Sequence, residues 1–476
     1  MFYGRKSEIT ELTLLKSKKT ASLVCVLGRR RIGKSRLIQE FAKTYDKFYS
    51  FQGLGPDDNA GLQEQLDHFA YQLSELTNSR QQTFKHWAEA FTALSTYVQK
   101  SQTLVLFDEI SWMARGDQLF ASKLKDAWDR LFKNNNKLML VLCGSVSAWL
   151  HDNILNNANF EGRVSSRIEL QELDLKSINK FWTHNNYHMG SLEKALILSV
   201  TGGVPKYIEE VLSSSTAEKN LIRLCFTAKG LLFNDFNYIF SEVLGRRAEN
   251  LEKIVRLCLE KKLTPIELSK KLKTTFNSDM TEAIRVLELS GFLSKDYSFK
   301  PDGTASQISH LRVKDNYLRF YLKIIEPASK SIKKGGKIFS TLSEIKNFDG
   351  ILGYQFENLI LQNRTELYPL LNIQNSEIIA AAPHRQNKTL ANKGACQIDL
   401  LIHTNRDIYY LCEIKCQKNI DRTIIKDVQQ KMDRLALPKR SSLKPVLIYE
   451  GELYPPHESD IRKYFYKIIH FQDLLD

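Results

Sequence analysis

Gly28-Arg29-Arg30-Arg31-Ile32-Gly33-Lys34-Ser35 has the spacing G-x4-G-K-[ST], with which a chain wraps a polyphosphate. Its glycines let backbone N–H groups converge on phosphate oxygens, Lys34 carries charge to the β and γ positions, and the Ser35 hydroxyl suits Mg2+. Arg36 extends this nucleotide-contacting run by one residue. An acidic partner for the ion should end a buried strand, and Leu104-Val105-Leu106-Phe107-Asp108-Glu109 has that form. Asp108 would hold Mg2+ through water and Glu109 would orient or deprotonate an attacking water; a solvated acidic pair at a strand end is the plainer reading. A second apolar run, Leu138 to Gly144, ends at Ser145, whose hydroxyl either meets the γ-phosphate or its water, or caps the next helix. Arg163 and Arg167, after Gly162, are candidate cations for charge spread over the γ oxygens; a solvated basic loop explains them equally well.

A second acidic constellation lies near the C-terminus. Residues 397–416 read QIDLLIHTNRDIYYLCEIKC: two strands and a short polar turn, with Asp399 near the start of the first and Glu413 and Lys415 on one face of the second. Two carboxylates can bind Mg2+ while an ammonium positions a water or steadies charge developing on a phosphorane. Glu357, on a preceding helix, could add another carboxylate; the competing view is an alternating strand with ordinary surface charges. Cys412 and Cys416 are about 13 Å apart along one strand, too far to share a tetrahedral zinc. His384 and His403 lack ligand-like spacing.

The elements that must position these residues follow from periodicity. Ala21 to Leu27 is a β-rich run entering the glycine loop, and Ser35 to Lys43 repeats apolar positions as a helix does. Further β-type runs at Lys47 to Gln52, Thr103 to Phe107 and Lys137 to Cys143 alternate with helical stretches, which predicts a parallel α/β sheet over residues 1–168. A helical unit follows over 169–245. Residues 246–330 read as three helices and a hairpin turned at Pro301-Asp302-Gly303, a winged helix-turn-helix pattern, with Thr264-Pro265-Ile266-Glu267 marking a helix start. Lys270, Lys271, Lys273 and Arg285 there could meet phosphates or form a solvated face. Lys330 to Lys337 reads as a linker, and 338–476 as a last domain.

Composition bounds the rest. At 476 residues the chain exceeds the roughly 250–300 at which one core stops growing, so several domains are expected. Its 43% hydrophobic and 26% charged residues are globular. Lys+Arg exceed Asp+Glu by 68 − 54 = 14, which favours a polyanionic partner without identifying one. Apolar runs are too short to span a membrane, the first eleven residues carry no signal-like apolar stretch, and seven Cys lie mostly in apolar runs, so a cytoplasmic chain with reduced thiols and no membrane partner is expected.

Phe2-Tyr-Gly4-Arg5-x-x-Glu8, Gly28 to Ser35, Leu104 to Glu109, Leu142-Cys-Gly-Ser145 and Gly202-Gly-Val-Pro205-Lys-Tyr207 together resemble the AAA-related, archaeal-type ATPases of the signal-transducing NTPase class. The likeness covers roughly residues 1–330, including Asp315 to Phe320. It implies a P-loop NTPase sheet with helical lid, ATP and Mg2+ as cofactors, Phe2, Gly4 and Arg5 beside the adenine, and the Gly202 to Pro205 turn closing over the nucleotide. The C-terminal residues resemble the restriction-endonuclease-like PD-(D/E)XK class, with Ile398 where that motif has proline. By this resemblance Asp399, Glu413 and Lys415 form the motif and Glu357 is the helical acid. The two likenesses imply DNA as a partner, and a homo-oligomer stays open. Either ATP state gates DNA cleavage, or a regulatory ATPase carries a silent nuclease fold.

Overall fold

A computed structural model describes residues 2–55, 60–99, 101–145, 147–244, 248–299, 305–335, 339–386, 388 and 394–476. The Pro301-Asp302-Gly303 turn and part of the Lys330 to Lys337 break lie outside them. The chain divides into two compact units: Met1–Leu173 with Ile239–Ala248 and Leu289–Gly291, and Asp174–Tyr238 with Glu249–Glu288 and Phe292–Asp476.

The first unit is built on a five-stranded parallel sheet of β1 (Ser22–Leu27), β2 (Lys47–Gln52), β3 (Thr103–Asp108), β4 (Leu138–Gly144) and β5 (Val164–Glu169), in the order β2-β3-β4-β1-β5. Near-continuous apolar strands are what a sheet covered on both faces requires. Alternate residues serve opposite faces. Leu23, Cys25, Val105, Phe107, Leu140 and Leu142 pack with helices Leu62–Thr77, Trp87–Tyr97 and Phe120–Arg130. Val24, Val26, Leu104, Leu106, Val141 and Cys143 pack with Leu37, Ile38 and Phe41 of helix Lys34–Ala42. β5 has no apolar run to announce it; only Ile168 is buried, as suits an edge strand beside β1. Because the strands are parallel, the segments after β1, β3 and β4 leave one edge of the sheet, where ligands of open α/β sheets bind.

The second unit begins with helices Leu175–His184, Ser191–Thr201, Pro205–Glu209 and Ala217–Cys225, and with helix Leu231–Leu244 as far as Tyr238. Helices Ala248–Glu260, Pro265–Lys271 and Ser278–Leu289 precede an antiparallel pair, β6 (Leu293–Phe299) and β7 (Ala305–Val313). Thr264 and Glu267 close a capping box with Pro265 in the first helical turn. Helix Glu326–Lys333 continues through the first half of the expected linker, so the break falls later than composition suggests. A mixed sheet follows, ordered β12-β11-β10-β9-β8, from β8 (Ile378–Gln386), β9 (Cys396–Thr404), β10 (Ile408–Ile420), β11 (Ser442–Leu453) and β12 (Lys467–His470). β8, β9 and β10 are antiparallel, whereas β10, β11 and β12 are parallel. β10 continues past Lys415 because an irregularity at Gln417–Asn419 lets it follow β11, with Gly451 at φ +123° close over Gln417.

Helix Phe348–Gln362 packs against β10 and is fixed by buried amides. Asn316 Nδ2 donates to the carbonyls of Ser199 (2.9 Å) and Gln355 (3.0 Å). Gln355 Nε2 donates to those of Ser199 (2.9 Å) and Asn316 (2.7 Å). Each bond is modest, but a buried carbonyl left without its donor costs about 1–3 kcal/mol. Asn316→Leu is therefore expected to lower the unfolding free energy of this unit by about 2–3 kcal/mol in urea titration; a loss under about 0.5 kcal/mol, the range of an ordinary surface change, would count against the network.

Candidate functional site

The loop after β1 depends on backbone that only glycine adopts freely. Gly28 lies at φ +143°, where a Cβ would come 2.8 Å from the Leu170 carbonyl, and Gly33 lies at φ +91°. Arg31 also has positive φ, 66°. Lys34 is buried, and its ammonium donates to the carbonyls of Gly28 (3.0 Å) and Arg29 (3.1 Å), holding the loop around its own side chain. Arg29 pairs with Glu172 at 3.6 Å, Ile32 is buried in the core, Arg30 is half-buried, and Arg36 is exposed on the first turn of the following helix.

The carboxylates meet this loop as the strand order dictates. Ser35 Oγ donates to Asp108 Oδ2 at 2.5 Å, and the Glu109 amide donates to Asp108 Oδ1 at 3.1 Å. Glu109, at φ 50°, turns its side chain to the end of β4, where Oε2 accepts from both the amide (3.0 Å) and the hydroxyl (2.7 Å) of Ser145. Ser145 thus orients Glu109, a role its sequence position did not disclose. A hydroxyl and a carboxylate oxygen side by side are hard donors that fit Mg2+. Burial pushes the Asp108 carboxyl above the usual aspartate range; the Ser35 hydrogen bond opposes this and the Glu109 charge adds to it.

Arg5 ties the N-terminal segment to the loop: Nη2 donates to the carbonyls of Ile32 (3.0 Å) and Gln171 (2.6 Å), and Nη1 meets Glu8 at 3.3 Å. Gly4 at φ 70° and Arg5 at φ 63° make the turn, and Phe2 packs on the core face that holds Ile32. The two candidate cations have carboxylates of their own. Arg163 grips Asp129 through Nε (3.0 Å) and Nη2 (2.8 Å), holding that carboxyl down to about 2, and Arg167 pairs with Glu169. Pro205 opens helix Pro205–Glu209 of the other unit, after Gly202 and Gly203 at φ 65° and 83°.

In the second unit, β9 and β10 bring Asp399 beside Glu413, with Asp399 Oδ2 accepting from the Ile414 amide at 2.9 Å. Glu413 is 1% exposed and lies between two ammoniums, Lys415 Nζ at 2.9 Å and Lys431 Nζ at 2.5 Å. Lys431 comes from helix Thr423–Arg434, and nothing in the spacing of the motif pointed to it. Burial raises the Asp399 carboxyl, and the charges of Glu413 and Glu357 raise it further. Two recessed carboxylates fit a hard cation such as Mg2+. Glu357 does not join them: among the described residues no three His, Cys, Asp or Glu side chains converge as metal ligands, and Glu357 meets Lys262 at 3.5 Å. Cys412 is a buried free thiol and Cys416 a half-buried one. No helix among the described residues is long and apolar enough to cross a membrane.

Residues 2–211 match the family of ATPase domains predominantly from Archaea. That match, lying over the parallel sheet and its phosphate loop, makes this part of the chain an ATPase domain of P-loop type. An uncharacterised protein of Methanocaldococcus jannaschii is 22% identical over 370 residues, 77% of this chain and 78% of that one. Among solved structures, a Walker-type ATPase of Pyrococcus abyssi is similar at 16% identity and TM-score 0.48, over 68% of this chain and 96% of that one. The Aeropyrum pernix ORC2 protein, in ADPNP–ADP complexes, is similar at 14% identity and TM-score 0.42, over 70% and 94%.

The raised Asp108 carboxyl has a stability consequence whose sign is fixed. The native state binds this proton more tightly than the unfolded chain does, so stability falls as pH rises from the ordinary aspartate range through the folded value. Above it the penalty is complete. At pH 8 without nucleotide, Asp108→Asn is expected to raise the melting midpoint of the first unit by about 2–4 °C, the shift that ~1 kcal/mol gives a domain of this size. An unchanged or lower midpoint by calorimetry would contradict the charge assignment.

Proposed function

We propose that this protein is an ATP-binding and ATP-hydrolysing switch whose second unit carries a DNA-directed, Mg2+-dependent nuclease-like site. The observation that supports the switch is the pair of bonds Ser35–Asp108 and Ser145–Glu109, which draws together residues that follow three neighbouring strands. Lys34 would leave its loop carbonyls for the β and γ phosphates, Ser35 and Asp108 would hold Mg2+, and Glu109 would orient the attacking water. Bound Mg2+ would neutralise charge developing on the phosphate oxygens. Phe2, Gly4 and Arg5 would lie beside the adenine, and the Arg5 bond to the Ile32 carbonyl supports this by tying that segment to the phosphate loop.

For the second unit, the supporting observation is Asp399 next to Glu413 and Lys415 on neighbouring strands. The carboxylates would bind Mg2+, and Lys415 would position a water toward the scissile phosphate. The three helices and the β6–β7 pair would form a winged helix that meets DNA. Lys270 and Lys273 are exposed there, while Lys271 and Arg285 already face Glu260 and Glu282. One observation favours a second reading, a regulatory ATPase with a silent nuclease fold: both Glu413 oxygens are engaged by lysines.

Purified protein with Mg2+ or Mn2+, plasmid or single-stranded DNA, and ATP present or absent separates the two. The nuclease reading expects cleavage that Glu413→Ala reduces roughly a hundredfold or more, with ATP turnover intact. ATP turnover without any cleavage by the unaltered protein would replace it with the regulatory reading.

A further inference from the structure

Lys262 lies in the connection between helices Ala248–Glu260 and Pro265–Lys271. Its root is pinned, because the next residue, Leu263, is buried and its carbonyl accepts from the Leu311 amide of β7 at 2.7 Å. The ammonium reaches Glu357 Oε1 at 3.5 Å, with 31% of the lysine side chain and 16% of the glutamate side chain exposed. Glu357 is as firmly placed. Its helix packs on β10, and the flanking Phe356 and Asn358 are fully buried. The contact therefore joins two fixed backbones through one adjustable side chain.

The pair is poorly suited to a purely structural role. A 3.5 Å contact is longer than a charge-assisted hydrogen bond normally is, and a partly exposed ion pair in water is weak. The lysine can exchange its carboxylate for another anion at little cost. Nor does Glu357 complete a three-ligand metal group with Asp399 and Glu413. Its helix packs on β10, the strand that carries Glu413 and Lys415, so Glu357 stands beside that site without entering it.

We propose that Lys262 is a phosphate-contacting residue of the C-terminal site, supplied by the three-helix segment, and that Glu357 is the positioning residue that aims it, not a third metal ligand. The ligand class is the phosphodiester backbone of a nucleic acid. This rests on Asp399, Glu413 and Lys415 forming a nucleic-acid-directed metal site. The segment would then act on DNA inside the site as well as on its own exposed face, with Lys262 trading Glu357 for a backbone phosphate as the strand seats.

The test uses full-length protein without nucleotide: Mn2+ titration followed by electron paramagnetic resonance, and binding of a short DNA duplex in Ca2+ across a salt series. Lys262→Ala is expected to weaken duplex binding roughly fivefold near physiological salt and to lower the slope of log affinity against log salt by about one, as loss of one phosphate contact does. Lys262→Arg should restore most of both. With the Ser35–Asp108 site disabled by Asp108→Asn, Mn2+ affinity should be unchanged by adding Lys262→Ala or Glu357→Gln, and lost on adding Glu413→Gln. A salt slope unchanged by Lys262→Ala, or a tenfold loss of Mn2+ affinity on adding Glu357→Gln, overturns the proposal while leaving the metal site standing. If the Asp108→Asn protein binds neither Mn2+ nor duplex, the site reading itself fails and Lys262 falls with it.

Discussion

The hydrogen bond from Ser35 to Asp108 joins residues 73 positions apart, and it exists only because β1, β4 and β3 are neighbours running the same way. Their burial on both faces sets that arrangement, since each strand needs apolar partners above and below the sheet. Once the strands are aligned, the glycine loop, the acidic pair and Ser145 have to emerge at the same edge. The site's chemistry is then local: two glycines supply the turn, Lys34 supplies the cation, and Ser145 keeps Glu109 from turning away. The cost is a carboxyl forced into a buried position, visible in the upward shift of Asp108.

The second unit uses a different device. Its candidate carboxylates are compensated by lysines rather than by hydroxyls, and helix Phe348–Gln362 is held by amides that are themselves buried. Asn316, Gln355 and Ser199 come from three separate stretches of chain, so their bonds fasten the helical segment, the Asp315–Phe320 turn and the C-terminal sheet into one body. A buried network of amides and carbonyls is specific in a way that apolar packing is not, because any shift strands a carbonyl.

What could be read from the sequence was what depends on adjacent residues. The phosphate loop is a contiguous string, the runs Leu104–Asp108 and Leu138–Gly144 announce buried strands by composition, and the Thr264 cap is a four-residue pattern. The bounds of helices Ala248–Glu260 and Ser278–Leu289 follow directly from apolar spacing. Elements whose stability comes from neighbours left little trace: β5 carries two serines and an arginine, β8 is alanine-rich and contains a proline, and β12 has only four residues. Side-chain partnerships were least legible. Lys431 reaches Glu413 across 18 positions and Lys262 reaches Glu357 across 95. Arg163 looked free in sequence but is committed to Asp129, 34 positions earlier. Periodicity has no access to such pairings, which depend on how finished elements pack.

We propose that Glu109, held by Ser145 beside the Ser35–Asp108 bond, activates water for ATP hydrolysis. Steady-state ATP turnover of Glu109→Gln, measured with its nucleotide affinity, tests it most directly. Affinity is expected to stay within about twofold of the unaltered protein and turnover to fall roughly a hundredfold or more, because the amide keeps the shape but cannot accept the proton. Turnover at the original rate with affinity unchanged would contradict it.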